Sequence, residues 1–203
     1  MALFQRFQRN DQLVQVTRDI PVATNTDDSL VRLIVGLGNP GKQYDDTRHN
    51  IGFAAIDAYR DANELPKWQD KPKFKAMISE DIIGGKKIIL AKPTTFMNDS
   101  GQAVRALRDY YKISNDDITV IHDELDLPFG TVKQKQGGGS AGNNGLKSII
   151  AHIGQDFNRI RIGVKNDVLD RMGASDFVLA KFNTDEQKKL REIVSRSLDM
   201  LNL

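Results

Sequence analysis

The stretch "VRLIVGLGNPGKQYDDTRHNIGF", residues 31–53, decides the fold. Its first part, "VRLIVG" (31–36), is a short apolar run that ends in glycine, which is typical of a buried strand. From about Arg48 to Asn63 apolar residues recur at helical spacing, and Thr47 is a suitable N-cap for such a helix. The side chains expected to face the core are Ile51, Ala55, Ile56 and Tyr59.

Strand and helix patterns keep alternating downstream. "KFKAMISEDIIGGKKIILAK" (73–92) predicts a hairpin that turns at Gly84-Gly85. The further predicted elements are a helix over 101–112, a strand over 117–122 that runs into an acidic turn, a strand over 131–136, a helix over 146–153, a strand over 157–164 and a last helix from Asn183. This alternation predicts an α/β class, with a mixed, mostly parallel twisted sheet and helices on both faces. We expect one domain over residues 31–203, preceded by an extension over residues 1–30.

The composition excludes several classes of protein. With no cysteine among 203 residues, the chain has neither disulfides nor a cysteine nucleophile. No apolar run approaches the roughly 20 residues that span a bilayer, so no membrane partner is expected. These features suit the cytoplasm, although the basic, partly amphipathic "MALFQRFQRN" (1–10) leaves an organellar location as the alternative.

Positive charge is concentrated in two segments of a chain whose net charge is only +2. Residues 131–147 contain three lysines and no acid, and residues 157–165 contain two arginines, one lysine and no acid. Local clustering on a nearly neutral chain predicts a specific anionic partner rather than general binding to polyanions.

The hexapeptide "GLGNPG" (36–41) has the spacing G-x-G-x-x-G of a dinucleotide-binding loop. Such a loop requires a helix that begins at the glycines, whereas Pro40 and two acidic residues, Asp45 and Asp46, come first in this chain. The acidic residue expected after a second strand is also missing. The sequence therefore disfavours a dinucleotide cofactor.

His49 is the strongest candidate for a catalytic group. Because His49 lies close to the start of its predicted helix, the helix dipole should disfavour an imidazolium and keep the ring neutral near pH 7. "HDELDLP" (122–128) supplies carboxylates just past a strand, where sites of α/β sheets gather. The spacing does not select Asp123 over Asp126 as its partner. Because the three histidines show no paired spacing, we expect no metal site.

Three asparagines, Asn39, Asn98 and Asn144, stand beside glycines or helix starts in polar loops. Amide side chains both donate and accept hydrogen bonds, so they suit peptide-like groups and the orientation of a water molecule. If these loops follow neighbouring strands, they surround one crevice together with His49.

Several long segments of the sequence together resemble the bacterial-type peptidyl-tRNA hydrolase family. They are "LIVGLGNPG", "TRHNIGF", "KPTTFMNDSG", "HDELDLPFG", "GNNGLKSI", "FNRIRIGV" and "DFVLAKF", in the family's order over about residues 31–190. The resemblance implies a hydrolase of translation and ribosome rescue that cleaves the ester between a peptide and the 3′ ribose of tRNA. It further implies a cytoplasmic monomer that needs no cofactor or metal.

The resemblance also assigns roles to individual residues. It implies that His49 activates water and that Asp123 holds His49 in its basic form. The residues implied to bind substrate are Asn39, Tyr44, Phe96, Met97, Asn98 and Asn144, and those implied to bind tRNA phosphates are Lys133, Lys135 and Arg161. Asn143 stands where some members carry histidine, which implies that any auxiliary role of that imidazole is lost. An RNA-binding homologue without catalysis is the alternative, which the intact His49 and Asp123 disfavour.

Overall fold

A computed structural model describes residues 31–201 of the chain. The predicted extension, residues 1–30, lies outside the described residues, so the predicted domain division stays a prediction. Within residues 31–201, seven strands form one sheet in the order β2-β3-β4-β1-β5-β7-β6. The strands are β1 (Val31–Gly36), β2 (Gln69–Lys71), β3 (Ala76–Ile83), β4 (Lys86–Pro93), β5 (Ile118–Pro128), β6 (Val132–Gln136) and β7 (Asn158–Lys165).

The sheet is mixed, as predicted, but parallel pairs do not predominate. The three central pairings, β1 with β4, β1 with β5 and β5 with β7, are parallel. The three outer pairings, β2 with β3, β3 with β4 and β6 with β7, are antiparallel. Short connections join β2 to β3 and β3 to β4 as antiparallel neighbours, whereas β6 and β7 are joined through helix α3.

Helices cover both faces of the sheet, which confirms the predicted α/β class. The helices in the described part of the chain are α1 (Ile51–Ala62), α2 (Ser100–Tyr111), α3 (Asn144–Ile153), α4 (Leu169–Met172), α5 (Ala174–Leu179) and α6 (Thr184–Asp199). One apolar core lies between the sheet and helices α2 and α3, and the other contains buried residues of α1, α5 and α6. The four α1 side chains predicted to face the core are all buried in the second cluster.

The glycines of "GLGNPG" make room for helix α1 instead of opening a helix themselves. A Cβ on Gly36 would lie 2.3 Å from the main-chain oxygen of Gly52, and one on Gly38 would lie 2.7 Å from the Phe53 ring. Helix α1 begins only at Ile51, after a 3-10 turn over Arg48–Asn50. The start of α1 therefore packs directly on the end of β1, with His49 in the turn between them.

Two local predictions about helix starts have different outcomes. Thr47 precedes the 3-10 turn, but its hydroxyl donates to the Tyr44 carbonyl at 2.8 Å and does not cap the helix. Asn183 does cap helix α6, because its side chain accepts from the main chain of Asp185 and Glu186, and Glu186 bonds back to complete a capping box. The predicted hairpin turn at Gly84-Gly85 is confirmed, with both glycines at positive φ.

The predicted acidic turn after residue 122 is wrong, because β5 continues as a strand to Pro128. Its pairing with β7 runs to Glu124 opposite Gly163 and resumes at Pro128 opposite Lys165, with a register shift between them. Strand pairing thus extends beyond the apolar run that marked the strand in the sequence. Asp123 and Glu124 are therefore paired with β7 in the carboxyl-terminal half of an inner strand.

Candidate active site

Strands β4, β1 and β5 are neighbours in the sheet, and the polar segments after β4 and β1 line one cavity together with the carboxyl-terminal half of β5. Its volume is about 500 Å³, within the range of ligand cavities. The lining residues include Asn39, His49, Phe96, Met97, Asn98, Asp123, Asn143 and Asn144. The predicted crevice is therefore present, although its third side is the end of strand β5 and not a loop, and helix α5 contributes a further wall through Val178 and Leu179.

His49 and Asp123 form a buried pair at this cavity. The Nδ1 atom of His49 lies 2.9 Å and 3.0 Å from the two carboxylate oxygens of Asp123. An ionised carboxylate only accepts hydrogen bonds, so Nδ1 carries the proton and donates it. Nε2 then bears the lone pair and has no partner within residues 31–201. The ring is thus oriented to accept a proton at Nε2.

The structure settles which carboxylate of "HDELD" is the partner of His49. Asp123 is buried, whereas Asp126 is exposed and has its main-chain N–H bonded to Glu124 at 3.2 Å. His122 also faces elsewhere, because its Nδ1 contacts the main-chain oxygen of Asp123 at 2.7 Å and not the carboxylate. Only Asp123 projects toward the turn that carries His49, because side chains alternate along β5.

The predicted lowering of the His49 pKa is wrong in sign. Burial does lower the pKa of His49, but the charge of Asp123 and its hydrogen bond raise it, and the net pKa lies above the ordinary 6.5. The carboxylate, at hydrogen-bonding distance, has more influence than the dipole at the start of α1. His49 therefore loses its proton at a higher pH than a free imidazole.

Asn39 presents a hydrogen-bond donor to the cavity. Its Oδ1 accepts from the main-chain N–H of Met97 at 2.8 Å, which fixes the orientation of the amide. The side chain of Asn50 bonds to the main chain of Asn39 twice. Its Oδ1 accepts from the Asn39 N–H at 2.8 Å, and its Nδ2 donates to the Asn39 carbonyl oxygen at 2.9 Å. The Nδ2 group of Asn39 is left to bind an acceptor in the cavity.

The other residues implied to bind substrate surround this donor, with one exception. Phe96, Met97, Asn98 and Asn144 line the cavity, and Asn98 and Asn144 are exposed to it. Tyr44 does not line it, and its ring instead packs edge-on against Phe96, with centroids 6.1 Å apart. Tyr44 therefore contacts a residue of the cavity wall without lining the cavity itself.

Three features of the site have no counterpart in the sequence prediction. Asn143, noted only as a departure from the family, donates to the Asp123 carboxylate at 3.0 Å. Asn50 orients Asn39, and helix α5 forms a wall of the cavity. The adjacent "HN" at 49–50 and "NN" at 143–144 were possible signals, since each pair places an amide beside a candidate residue. No local pattern indicates the contribution of α5.

The candidate phosphate-binding residues lie on the two strands at one edge of the sheet. Lys133 on β6 is directly opposite Arg161 on β7, and Lys133 and Lys135 are exposed. Arg161 is already engaged, because its Nε donates to the buried carboxylate of Glu124 at 2.9 Å. The two lysines are therefore the freer cations, and Arg161 also neutralises a carboxylate that lines the cavity.

Within residues 31–201, no group of three or more histidine, cysteine or acidic side chains is arranged to hold a metal ion. None of the helices in this part of the chain is both long and apolar enough to cross a membrane.

The family model described as "Peptidyl-tRNA hydrolase" matches residues 33–203 of the chain. The peptidyl-tRNA hydrolase of Listeria monocytogenes serovar 1/2a (strain ATCC BAA-679 / EGD-e) is 45% identical over 172 residues, which cover 84% of this chain and 90% of that protein. That of Shouchella clausii (strain KSM-K16) is 54% identical over 135 residues, which cover 66% and 72% respectively.

Solved structures agree with these matches. A crystal structure of a peptidyl-tRNA hydrolase in complex with N-propanol has a TM-score of 0.79 at 37% identity, and the match covers 86% of this chain and 88% of that one. The peptidyl-tRNA hydrolase of Acinetobacter baumannii has a TM-score of 0.73 at 36% identity, with 87% and 94% covered. The sequence, the sheet and the matches together place the chain in the peptidyl-tRNA hydrolase family.

Proposed function

We propose that this protein hydrolyses the ester between a peptide and the 3′ ribose of tRNA and releases free tRNA and free peptide. The observation that carries the proposal is the buried His49–Asp123 pair at a cavity lined by asparagine amides. The pair supplies a general base, and the amides supply donors for carbonyl oxygens. An ester is already an activated acyl group, so these elements suffice for hydrolysis by water.

In the proposed mechanism, Nε2 of His49 accepts a proton from water while the oxygen of that water attacks the ester carbonyl carbon. Asp123 accepts the hydrogen bond from Nδ1–H and stabilises the imidazolium that forms. Collapse of the tetrahedral intermediate breaks the bond to the ribose oxygen, which takes the proton from His49. The water thus ends up divided between the peptide carboxylic acid and the ribose hydroxyl.

In this proposal the asparagines contact different parts of the substrate. Asn39, whose Nδ2 is the group left to face the cavity, donates to a carbonyl oxygen of the peptide. Such a contact favours a blocked α-amino group, because an acylated amine brings a carbonyl that a free ammonium lacks. Asn98 and Asn144, exposed in the cavity, bind the scissile ester and position the water. An oxyanion donor of this kind typically contributes about 10²–10³-fold.

The direct experiment follows release of the labelled amino acid from N-acetyl-aminoacyl-tRNA, with the free aminoacyl-tRNA as the matched control substrate. We expect rapid release from the blocked substrate and much slower release from the free one. Binding of tRNA without any release would favour the alternative of a non-catalytic RNA-binding homologue.

The pH dependence of kcat/KM should have an acid limb with a midpoint above 6.5. Only the neutral ring accepts a proton, and Asp123 raises the pKa of His49 above that value, so activity falls as the pH drops through the raised pKa. In Asp123→Asn the counter-charge is lost, so we expect the midpoint to move to lower pH and the plateau kcat to fall more than KM changes. An unchanged midpoint in Asp123→Asn would show that Asp123 does not raise the pKa of His49 as proposed.

The salt dependence of tRNA binding tests the phosphate-binding lysines. In Lys133→Ala/Lys135→Ala, we expect the slope of log Kd against log salt concentration to flatten by about 2, close to 1 for each lost phosphate contact. Arg161 is left intact, because its removal would strand the buried Glu124 carboxylate. Lys67→Ala is the control, since Lys67 is an exposed residue beside β2 at the opposite edge of the sheet. Equal slopes in the double variant and the wild type would show that the bound tRNA does not contact these two lysines.

We further propose that the protein acts as a monomer, as the resemblance to the peptidyl-tRNA hydrolase family implied. We also propose a cytoplasmic site of action, which the same resemblance implied, with an organellar one as the alternative. Light scattering on the purified protein measures the first point, and the location of the tagged full-length chain measures the second.

A further inference from the structure

Asn143 connects the catalytic pair to the start of helix α3. Its Oδ1 accepts from the main-chain N–H groups of Gly145 at 3.0 Å and Leu146 at 3.1 Å, which caps the helix. Because Oδ1 faces the helix, Nδ2 faces the other way and donates to Oδ1 of Asp123 at 3.0 Å. A single amide therefore has both ends engaged, and its orientation is fixed.

The Asp123 carboxylate receives two donors on the same oxygen. His49 Nδ1 lies 2.9 Å from Oδ1 of Asp123, and Asn143 Nδ2 lies 3.0 Å from it. A carboxylate held by a single partner rotates more freely than one held from two sides. The amide also shares the negative charge of the carboxylate, which weakens its attraction for the imidazolium.

From these contacts we infer that Asn143 is a positioning residue for hydrolysis: it locks the Asp123 carboxylate in the orientation that steers His49, and it anchors that carboxylate to α3. The role in turnover rests on the proposed function, whereas the effect on the carboxylate does not. An amide carries no charge at any physiological pH. The neighbour of Asp123 on this side therefore stays neutral while His49 titrates.

The other ionisable groups around the pair are balanced by partners of their own. Glu124, next to Asp123 on β5, is paired with Arg161 of β7 at 2.9 Å. Arg48, next to His49, is paired with Glu186 of α6 at 2.7 Å. His122 contacts the main-chain oxygen of Asp123, and burial lowers its pKa. A change at residue 143 alters none of these partners.

Two variants separate helix capping from positioning. Serine and aspartate both serve as N-caps, so Asn143→Ser and Asn143→Asp keep an acceptor for α3, and Asn143→Ser should melt close to the wild type. Serine is too short to keep the donor on Asp123, and aspartate places a second negative charge against it. Asn143→Ala, which loses both functions, reports the cost of the missing cap.

The experiment combines two measurements on each variant: NMR titration of His49 in the free protein, and kcat and KM with N-acetyl-aminoacyl-tRNA. In Asn143→Asp we expect the pKa of His49 and the acid limb to rise by about 1 on the pH scale. In Asn143→Ser we expect kcat to fall by up to about 10²-fold with KM nearly unchanged, because the base is misplaced.

The inference is overturned if both variants keep the wild-type His49 pKa and the wild-type kcat, since Asn143 would then be a helix cap alone. The NMR measurement needs no turnover. If the wild type releases no peptide, the proposed function fails, and the His49 pKa of Asn143→Asp still decides whether Asn143 acts on the pair.

Discussion

Replacing His49 by alanine is expected to lower kcat for peptidyl-tRNA hydrolysis by about 10²–10⁴-fold, the usual contribution of a positioned general base. The ring that is removed is the one whose Nδ1 is held by Asp123 and whose Nε2 is left free at the cavity. Binding of tRNA should be almost unchanged, because the candidate phosphate contacts lie at the β6–β7 edge of the sheet. The measurement is single-turnover release of N-acetyl-amino acid at saturating enzyme.

His152→Ala is the matched control for this experiment. His152 lies on α3, and its Nδ1 donates to the Ser148 carbonyl at 2.8 Å, which is an ordinary contact within a helix. It does not line the cavity, so we expect wild-type turnover. If His49→Ala kept kcat within about threefold of the wild type, the missing factor of 10²–10⁴ would have to come from another group, and the proposed base would be wrong.

The largest effect on stability is expected from Glu186→Ala, which should lower the free energy of unfolding by about 3–5 kcal/mol. Glu186 and Arg48 form an ion pair at 2.7 Å in which the side chains are only 7% and 5% exposed. Burial lowers the pKa of Arg48, whereas the charge of Glu186 raises it and so offsets part of the desolvation cost of the guanidinium. Without Glu186, a buried guanidinium stacked 4.3 Å from the Phe177 ring centroid would have no counter-charge.

Equilibrium unfolding in urea measures this loss, and helix α6 supplies its own control. Glu192 pairs with Arg196 at 3.8 Å, but it is 77% exposed, so Glu192→Ala should change the unfolding free energy by less than about 0.5 kcal/mol. The apolar double variant Arg48→Met/Glu186→Leu should recover part of the loss, because no charge is left buried, while the groups that bond to Arg48 and Glu186 still lose their partners. Similar costs for Glu186→Ala and Glu192→Ala would contradict this account.

The Arg48–Glu186 pair also bears on the active site. Arg48 directly precedes His49, and its Nη1 donates to the carbonyl oxygens of Ala180 and Lys181, which follow helix α5. Glu186 in turn accepts from Asn166 at 2.6 Å, at the end of β7. The turn that carries His49 is thus tied to the segment that forms one wall of the cavity.

By itself the sequence determined most of the longer elements and most of the candidate residues. Periodicity and turn chemistry depend on neighbours along the chain, so the buried face of α1, the Gly84-Gly85 turn and the Asn183 cap were predictable. The polar loops at the ends of apolar runs also placed Asn39 and His49 near each other. These are properties of short segments, which a single sequence contains in full.

Tertiary structure alone decided how those residues act on one another. The choice of Asp123 over Asp126, the raised pKa of His49 and the second contact of Asn143 all depend on atoms from distant segments. His49 and Asp123 are 74 residues apart in the chain and 2.9 Å apart in space. Electrostatic and hydrogen-bond energies depend on distances of a few ångströms and on burial, and the folded sheet fixes both.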